Sequence, residues 1–128
     1  SAASDVYKRQ SDISSKSAVR IIDAMLRYPE LVAGEGRACT ELMRAAQGQV
    51  ALKTGAEGFF VAIIPKKKMG VALKVLDGAT RASECVIASI LVGLGVLNPA
   101  NPIVEKYLHP SILNWDGLKT GFIKPLIK

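Results

Sequence analysis

Lysine, threonine and glycine stand together at Lys53-Thr54-Gly55, between an apolar run that begins near Gln49 and a second run that starts at Phe59. These residue types in this order suit a strand that lines a hydrolase cleft. A lysine beside a covered sheet is partly desolvated, which lowers its pKa and fits it for proton transfer. It can equally serve as a fixed positive charge for a substrate carboxylate, which the threonine hydroxyl can also hold. Glycine lets substrate approach the strand backbone closely. The plainer reading is a hairpin with a polar tip. Three common residues carry little weight alone, and Lys119-Thr120-Gly121 is a second copy that reads as coincidence.

Lys-Thr-Gly is also one of three motif elements of the serine β-lactamase and penicillin-binding group. The nucleophile of that group needs Ser-x-x-Lys, which stacks nucleophile and base one helical turn apart. No lysine here has a serine three residues before it; Ile13, Val50 and Val71 precede Lys16, Lys53 and Lys74. Ser11-Asp12-Ile13 is not Ser-Asp-Asn. The chain as it stands therefore carries no complete site of that class. The two cysteines, Cys39 and Cys85, are too few for a disulfide framework and have no metal-ligand spacing. Cys85 reads as a small buried residue. His109, the single histidine, reads as a surface residue. No metal-ligating or cofactor-binding residue is singled out. Glu57 reads equally well as a partner that orients Lys53 or as a turn residue. Gly34 to Arg37 either reaches the cleft mouth or simply joins two helices.

The elements that must position Lys53 follow from pattern and punctuation. Ser14 to Leu31 reads as an amphipathic helix with Val19, Ile22, Met25 and Leu26 on one face, capped by Ser15 or Ser17 and limited by Pro29. Thr40 is expected to cap a short helix over 41–46, with Gly48 ending it in a left-handed conformation. Strands are expected over 49–54, 59–64 and 70–76, the middle one buried on both faces. Their short connections allow only an antiparallel meander. Thr80 is expected to cap a buried helix from Arg81 to about Leu97, ended by Asn98-Pro99-Ala100-Asn101-Pro102. The tail is read as a mixed segment with a turn at Asn114 to Gly117 and one further strand over 122–127. The fold class is α+β, an antiparallel sheet packed against helices.

With 128 residues, 49% of them hydrophobic and 22% charged, the chain is long enough for one domain and one core. Its net charge of +6 could suit an anionic partner. The basic residues are scattered, however, and Lys66-Lys67-Lys68 reads as a solvated loop without interleaved aromatics, so neither nucleic acid nor a membrane is expected as a partner. The longest apolar segment, Cys85 to Leu97, is about 13 residues, short of the roughly 20 a spanning helix needs. A cytoplasmic location is the expectation.

Context changes the weight of Lys53-Thr54-Gly55. The stretch from Tyr28 to Ala82 carries Pro29-Glu30-Leu31-Val32-Ala33-Gly34 with Gly36-Arg37, then Thr40-Glu41-Leu42-Met43, then Lys53-Thr54-Gly55-Ala56-Glu57-Gly58. Gly70 to Lys74, and Asp77-Gly78 with Arg81-Ala82, follow in order. This resembles the L-asparaginase II family, the asparaginases of serine-β-lactamase-like fold, and more loosely the resemblance covers residues 19–128. It implies the C-terminal part of such a fold and hydrolysis of L-asparagine to L-aspartate and ammonia through two Ser/Lys pairs. Lys53 matches the lysine that comes from the sheet to complete the second pair, with Thr54 and Gly55 lining the pocket as substrate-binding residues. Both serines, and the zinc site that some members carry, would lie upstream. A homodimer is compatible with the resemblance. The basic Pro65 to Met69 loop and the ending over 114–124 depart from the family pattern.

The opening Ser1 to Gln10 lacks an initiator Met and resembles a translated sequencing-adapter read-through. On that reading residues 1–10 are a non-native artefact, residues 11–128 are a partial asparaginase-like domain, and this part alone is inactive. Two other classes remain: a different serine hydrolase of the same fold, such as a glutaminase or a peptidase-like enzyme, and a non-enzymatic basic α+β binding module.

Overall fold

The computed structural model describes residues 12–126, so the reading of residues 1–10 lies outside the described residues. Helices α1 (Asp12–Arg27), α2 (Pro29–Ala33) and α3 (Ala38–Ala45) come first, followed by strands β1 (Ala51–Gly55), β2 (Phe59–Ile64) and β3 (Met69–Lys74). Helices α4 (Thr80–Gly93) and α5 (Pro102–Leu108) and strands β4 (Ser111–Leu113) and β5 (Lys119–Phe122) complete the order. This is an α+β plan, as the sequence implies.

Proline and glycine divide the helices. Pro29 stops α1 two residues earlier and itself starts α2, since its fixed φ and missing N–H suit a first helical position. Helix α1 begins at Asp12, so Ser15 and Ser17 lie within it rather than before it. Only part of its expected apolar face is covered: Ile22 is buried, Met25 and Leu26 are half-buried, and Val19 is exposed. Thr40 is not a cap. Helix α3 starts at Ala38, and the Thr40 hydroxyl, fully buried, turns back to the carbonyl oxygens of Gly34 (2.6 Å) and Pro29 (3.2 Å). It thereby ties α2 to α3. Helix α4 likewise starts at Thr80 with Ala79 before it, and Asp77 Oδ1 accepts from the Ala79 N–H.

The three-stranded sheet has the order β1-β2-β3, antiparallel throughout, with Lys53 opposite Val61 and Val61 opposite Ala72. One face packs against the helices. Leu52, Phe60, Ala62 and Ile64 join Leu42 and Met43 of α3, Ile87, Ala88 and Leu91 of α4, and Val104 and Leu108 of α5 in one core. Each large side chain so buried contributes about 1.5–3 kcal/mol. The other face is open only in part: Ala51, which shares it with Lys53, is 2% exposed, and α1 packs beside β1. Phe59 is exposed, Val61 and Ile63 are half-buried, and Ala72 and Lys74 are exposed. Strand β2 is therefore buried on one face and only half-buried on the other, not buried on both.

Two features of the tail differ from expectation. Pro102–Leu108 is a helix, opened by Asn101 Oδ1 accepting from the Ile103 N–H at 2.9 Å. The last strand among the described residues is Lys119–Phe122; there it joins no larger sheet and pairs with β4, in a hairpin whose turn is held by Asn114, and residue 127 of the expected strand lies outside the described residues.

Candidate functional site

Strand β1 is a sheet edge, and its period of two sends neighbouring side chains to opposite faces. Lys53 and Gly55 lie on the open face with Val61 and Ala72, whereas Thr54 points to the covered side beside Phe60. The two polar groups do not converge. Lys53 Nζ donates to the Thr54 carbonyl oxygen (2.8 Å), while Thr54 Oγ1 donates to the carbonyl oxygens of Phe59 (3.3 Å) and Gly55 (3.4 Å). Lys53 is exposed, so the desolvation expected of it is absent among the described residues. Gly55 has a packing reason to be glycine: a Cβ there would come within 2.9 Å of Phe59 Cδ1. Glu57 does not serve Lys53. It sits at the β1–β2 turn and pairs with Lys74 at 3.2 Å.

The free edge of β1 is met by α3. Cys39, which the sequence reading left without a role, is buried there, and its Sγ accepts from the Thr54 N–H at 3.2 Å. Burial pushes the Cys39 thiol pKa up, against the opposing effects of the Thr54 N–H and the Lys53 charge. The Cys39 thiol therefore stays protonated at neutral pH, and acts as packing and as an edge acceptor rather than as a nucleophile.

Beyond Cys39 lies a second set of charged groups. Glu41 of α3 accepts from the Tyr107 hydroxyl (2.5 Å) and from Lys106 Nζ (2.7 Å) on α5. Those two bonds hold the Glu41 carboxyl below its usual range. Burial, then the bond to Glu41, pushes the Tyr107 phenol up. Glu84 of α4 is half-buried with its carboxyl raised by desolvation, opposed by the charges of Arg37 and Lys106. Sequence alone did not single out this set. Glu41 and Tyr107 are separated by 66 residues, and only the packing of α3 on α5 joins them. At the surface, Arg44 makes a two-pronged pair with Glu35 (2.7 and 2.8 Å), so the Gly34 to Arg37 loop is fastened to α3.

The described residues include no group of three or more His, Cys, Asp or Glu side chains that could hold a metal ion. No described helix is long and apolar enough to cross a membrane. Lys66, Lys67 and Lys68 are exposed at a single 3-10 turn, Pro65–Lys67, and its following residue. His109 is exposed, with Nδ1 2.9 Å from Glu105 Oε1. The second Lys-Thr-Gly copy lies on the outlying hairpin, in β5.

What the β1 edge offers is thus an accessible ammonium group on an open, partly apolar sheet face, held at a strand whose outer N–H is already satisfied. No curated protein matches the chain. The family model for L-asparaginase II matches residues 2–125, and a match over nearly the whole chain shows that the chain belongs to the L-asparaginase II family, a family of asparaginase-type amidohydrolases.

Proposed function

We propose that this chain supplies the sheet lysine of an amidohydrolase that converts L-asparagine to L-aspartate and ammonia, and that Lys53 is that lysine. The observation that carries the reading is the open face of the sheet. Lys53 stands there on an edge strand with its ammonium group accessible, flanked by Val61, Ala72 and Phe59. An upstream segment bearing Ser-x-x-Lys and a second serine, laid across this face, would bury Lys53 and bring it beside a hydroxyl. Burial of that kind is what makes a lysine competent in proton transfer.

The chemistry balances as a two-step acyl transfer. A serine oxygen bonds to the side-chain amide carbon while its proton passes to a lysine amine. The C–N bond then breaks as that proton reaches the leaving nitrogen, giving ammonia and an ester. Water adds to the ester carbon, the serine regains a proton, and aspartate departs. The positive field of Lys53 favours the oxyanion that forms at the carbonyl oxygen. Gly55 keeps the strand low on that face, where a larger side chain would crowd the site.

The test is ammonia release by the form of the protein that carries the upstream Ser-x-x-Lys. Lys53→Ala is expected to lower kcat by about 10²- to 10⁴-fold, the usual contribution of a positioned acid or base. Lys53→Arg keeps the charge and loses the proton transfer, so it separates the two roles. Lys119→Ala, in the outlying copy of the motif, is expected to leave the rate unchanged. Undiminished hydrolysis after Lys53→Ala would remove the role given to it. Faster turnover of L-glutamine or a β-lactam than of L-asparagine would favour another hydrolase of the same fold.

A further inference from the structure

A half-open cleft of about 390 Å³ lies away from the sheet, between the first turns of α4 and the end of α5. That volume is within the range of small-molecule sites, toward its lower end. Arg81 and Glu84 come from α4, Lys106 and Tyr107 from α5, and His109 and Ser111 from the segment that enters β4. The cleft is separate from the open sheet face, since α4 and α5 pack on the opposite side of the sheet from Lys53.

Its polar groups are unevenly used. Arg81 and Glu84 stand three residues apart on one helix, yet no ion pair joins them, and neither side chain has a hydrogen-bond partner among the described residues. The desolvation of the half-buried Glu84 carboxylate is offset only in part, by the charges of Arg37 and Lys106. Lys106 gives one of its three N–H donors to Glu41 (2.7 Å), which leaves two. The Ser111 hydroxyl, which is exposed, is also without a partner among the described residues. Tyr107 is spent on Glu41, and His109 faces Glu105. The cleft therefore presents one free anionic acceptor, Glu84, among a majority of cationic and neutral donors: Arg81, Lys106 and Ser111. Its walls include the Tyr107 ring and Pro110.

The complement of that set is a small molecule with one cationic donor and more than one anionic acceptor. We infer that the cleft binds an acidic α-amino acid, its ammonium group at Glu84 and its two carboxylates at Arg81 and at the free donors of Lys106 and Ser111. A planar guanidinium takes a carboxylate through two parallel bonds, and the lysine serves as a point charge for the other. The inference does not rest on the amidohydrolase reading, because none of these residues is assigned to that chemistry.

The experiment is a titration of the isotope-labelled chain followed by amide chemical shifts, with L-aspartate, succinate and inorganic phosphate as probes. L-Aspartate is expected to bind saturably and to move the signals of Arg81, Glu84, Tyr107 and His109. Loss of one charge-assisted contact corresponds to about ten- to a hundredfold in affinity. Arg81→Ala should therefore weaken L-aspartate and succinate alike by about that factor. Glu84→Gln should weaken L-aspartate alone, since succinate has no ammonium group. Lys53→Ala should leave binding unchanged. Equal affinity for L-aspartate and succinate would overturn the role of Glu84. Tighter binding of phosphate than of L-aspartate would make the cleft an anion site and overturn the ligand class. Loss of binding in Lys53→Ala, or no saturation in the parent chain, would overturn the site itself.

Discussion

The buried hydroxyl of Thr40 has one proton and two carbonyl acceptors, Gly34 at 2.6 Å and Pro29 at 3.2 Å. Thr40→Val keeps the shape and leaves both carbonyls without that donor, so the chain should lose about 1–3 kcal/mol in urea denaturation. Two glutamates make opposite predictions. Glu41 has a folded pKa below its ordinary value of 4.5, set by Lys106 and then Tyr107. Its stabilisation is present above the unfolded value and is lost as pH falls through the folded one. Glu41→Gln should therefore melt below the parent at neutral pH, with the gap closing in acid below about pH 4. Glu84 has a folded pKa above 4.5, set by burial. Its cost is absent below the unfolded value and complete above the folded one. Glu84→Gln should melt above the parent at neutral pH and level with it in acid. Melting temperature against pH for both variants shows whether the two curves depart from the parent with opposite sign.

Between elements, two turns are stacked back to back. Gly58 has φ +66°, and a Cβ there would lie 3.1 Å from the Gly78 carbonyl carbon and 3.2 Å from Val75 Cβ. Its carbonyl also accepts from the Val75 N–H at 3.0 Å. Gly58→Ala combines a left-handed backbone with a contact that backbone atoms cannot easily relieve. It should cost about 2 kcal/mol or more, read as a lower denaturation midpoint with an unchanged slope. Such short connections are why the meander was legible from sequence: a turn this tight leaves strands only one way to pair. Helix α5 was not legible, because Asn101-Pro102 reads as the end of one helix when it is also the cap and first residue of the next. Thr40 misled for a related reason, since a hydroxyl that can cap a helix can equally turn back to carbonyls before it. At the candidate site, the strand position of Lys53 was legible, and its separation from Thr54 follows from strand period alone. The Cys39 contact and the Glu41, Lys106 and Tyr107 set were not legible, since they arise where distant segments pack.

Taken as one body, the molecule covers one side of its sheet fully and the other only in part, and several large apolar residues stand exposed. Ile21 is 62% exposed, Leu31 81%, and Trp115 at the hairpin tip is fully exposed. Large exposed apolar area in a soluble domain marks a surface that meets something. Two alanines report on this sidedness. Ala62 on β2 is 1% exposed and faces α4, whereas Ala72 on β3 is exposed and opposes Val61 on the open face. Ala62→Asp puts an unpaired carboxylate in the core and should abolish cooperative unfolding, or lower stability by more than about 4 kcal/mol. Ala72→Asp in this chain should change stability by no more than about 0.5 kcal/mol, as surface substitutions do. The same Ala72→Asp change in a form with the upstream segment becomes a core substitution if that segment lies across the face. It should then be as damaging as Ala62→Asp, and should reduce amidohydrolase activity with it. If Ala72→Asp were silent in both forms, the open face would not be where the rest of the site assembles, and Lys53 would lose the setting that makes it useful.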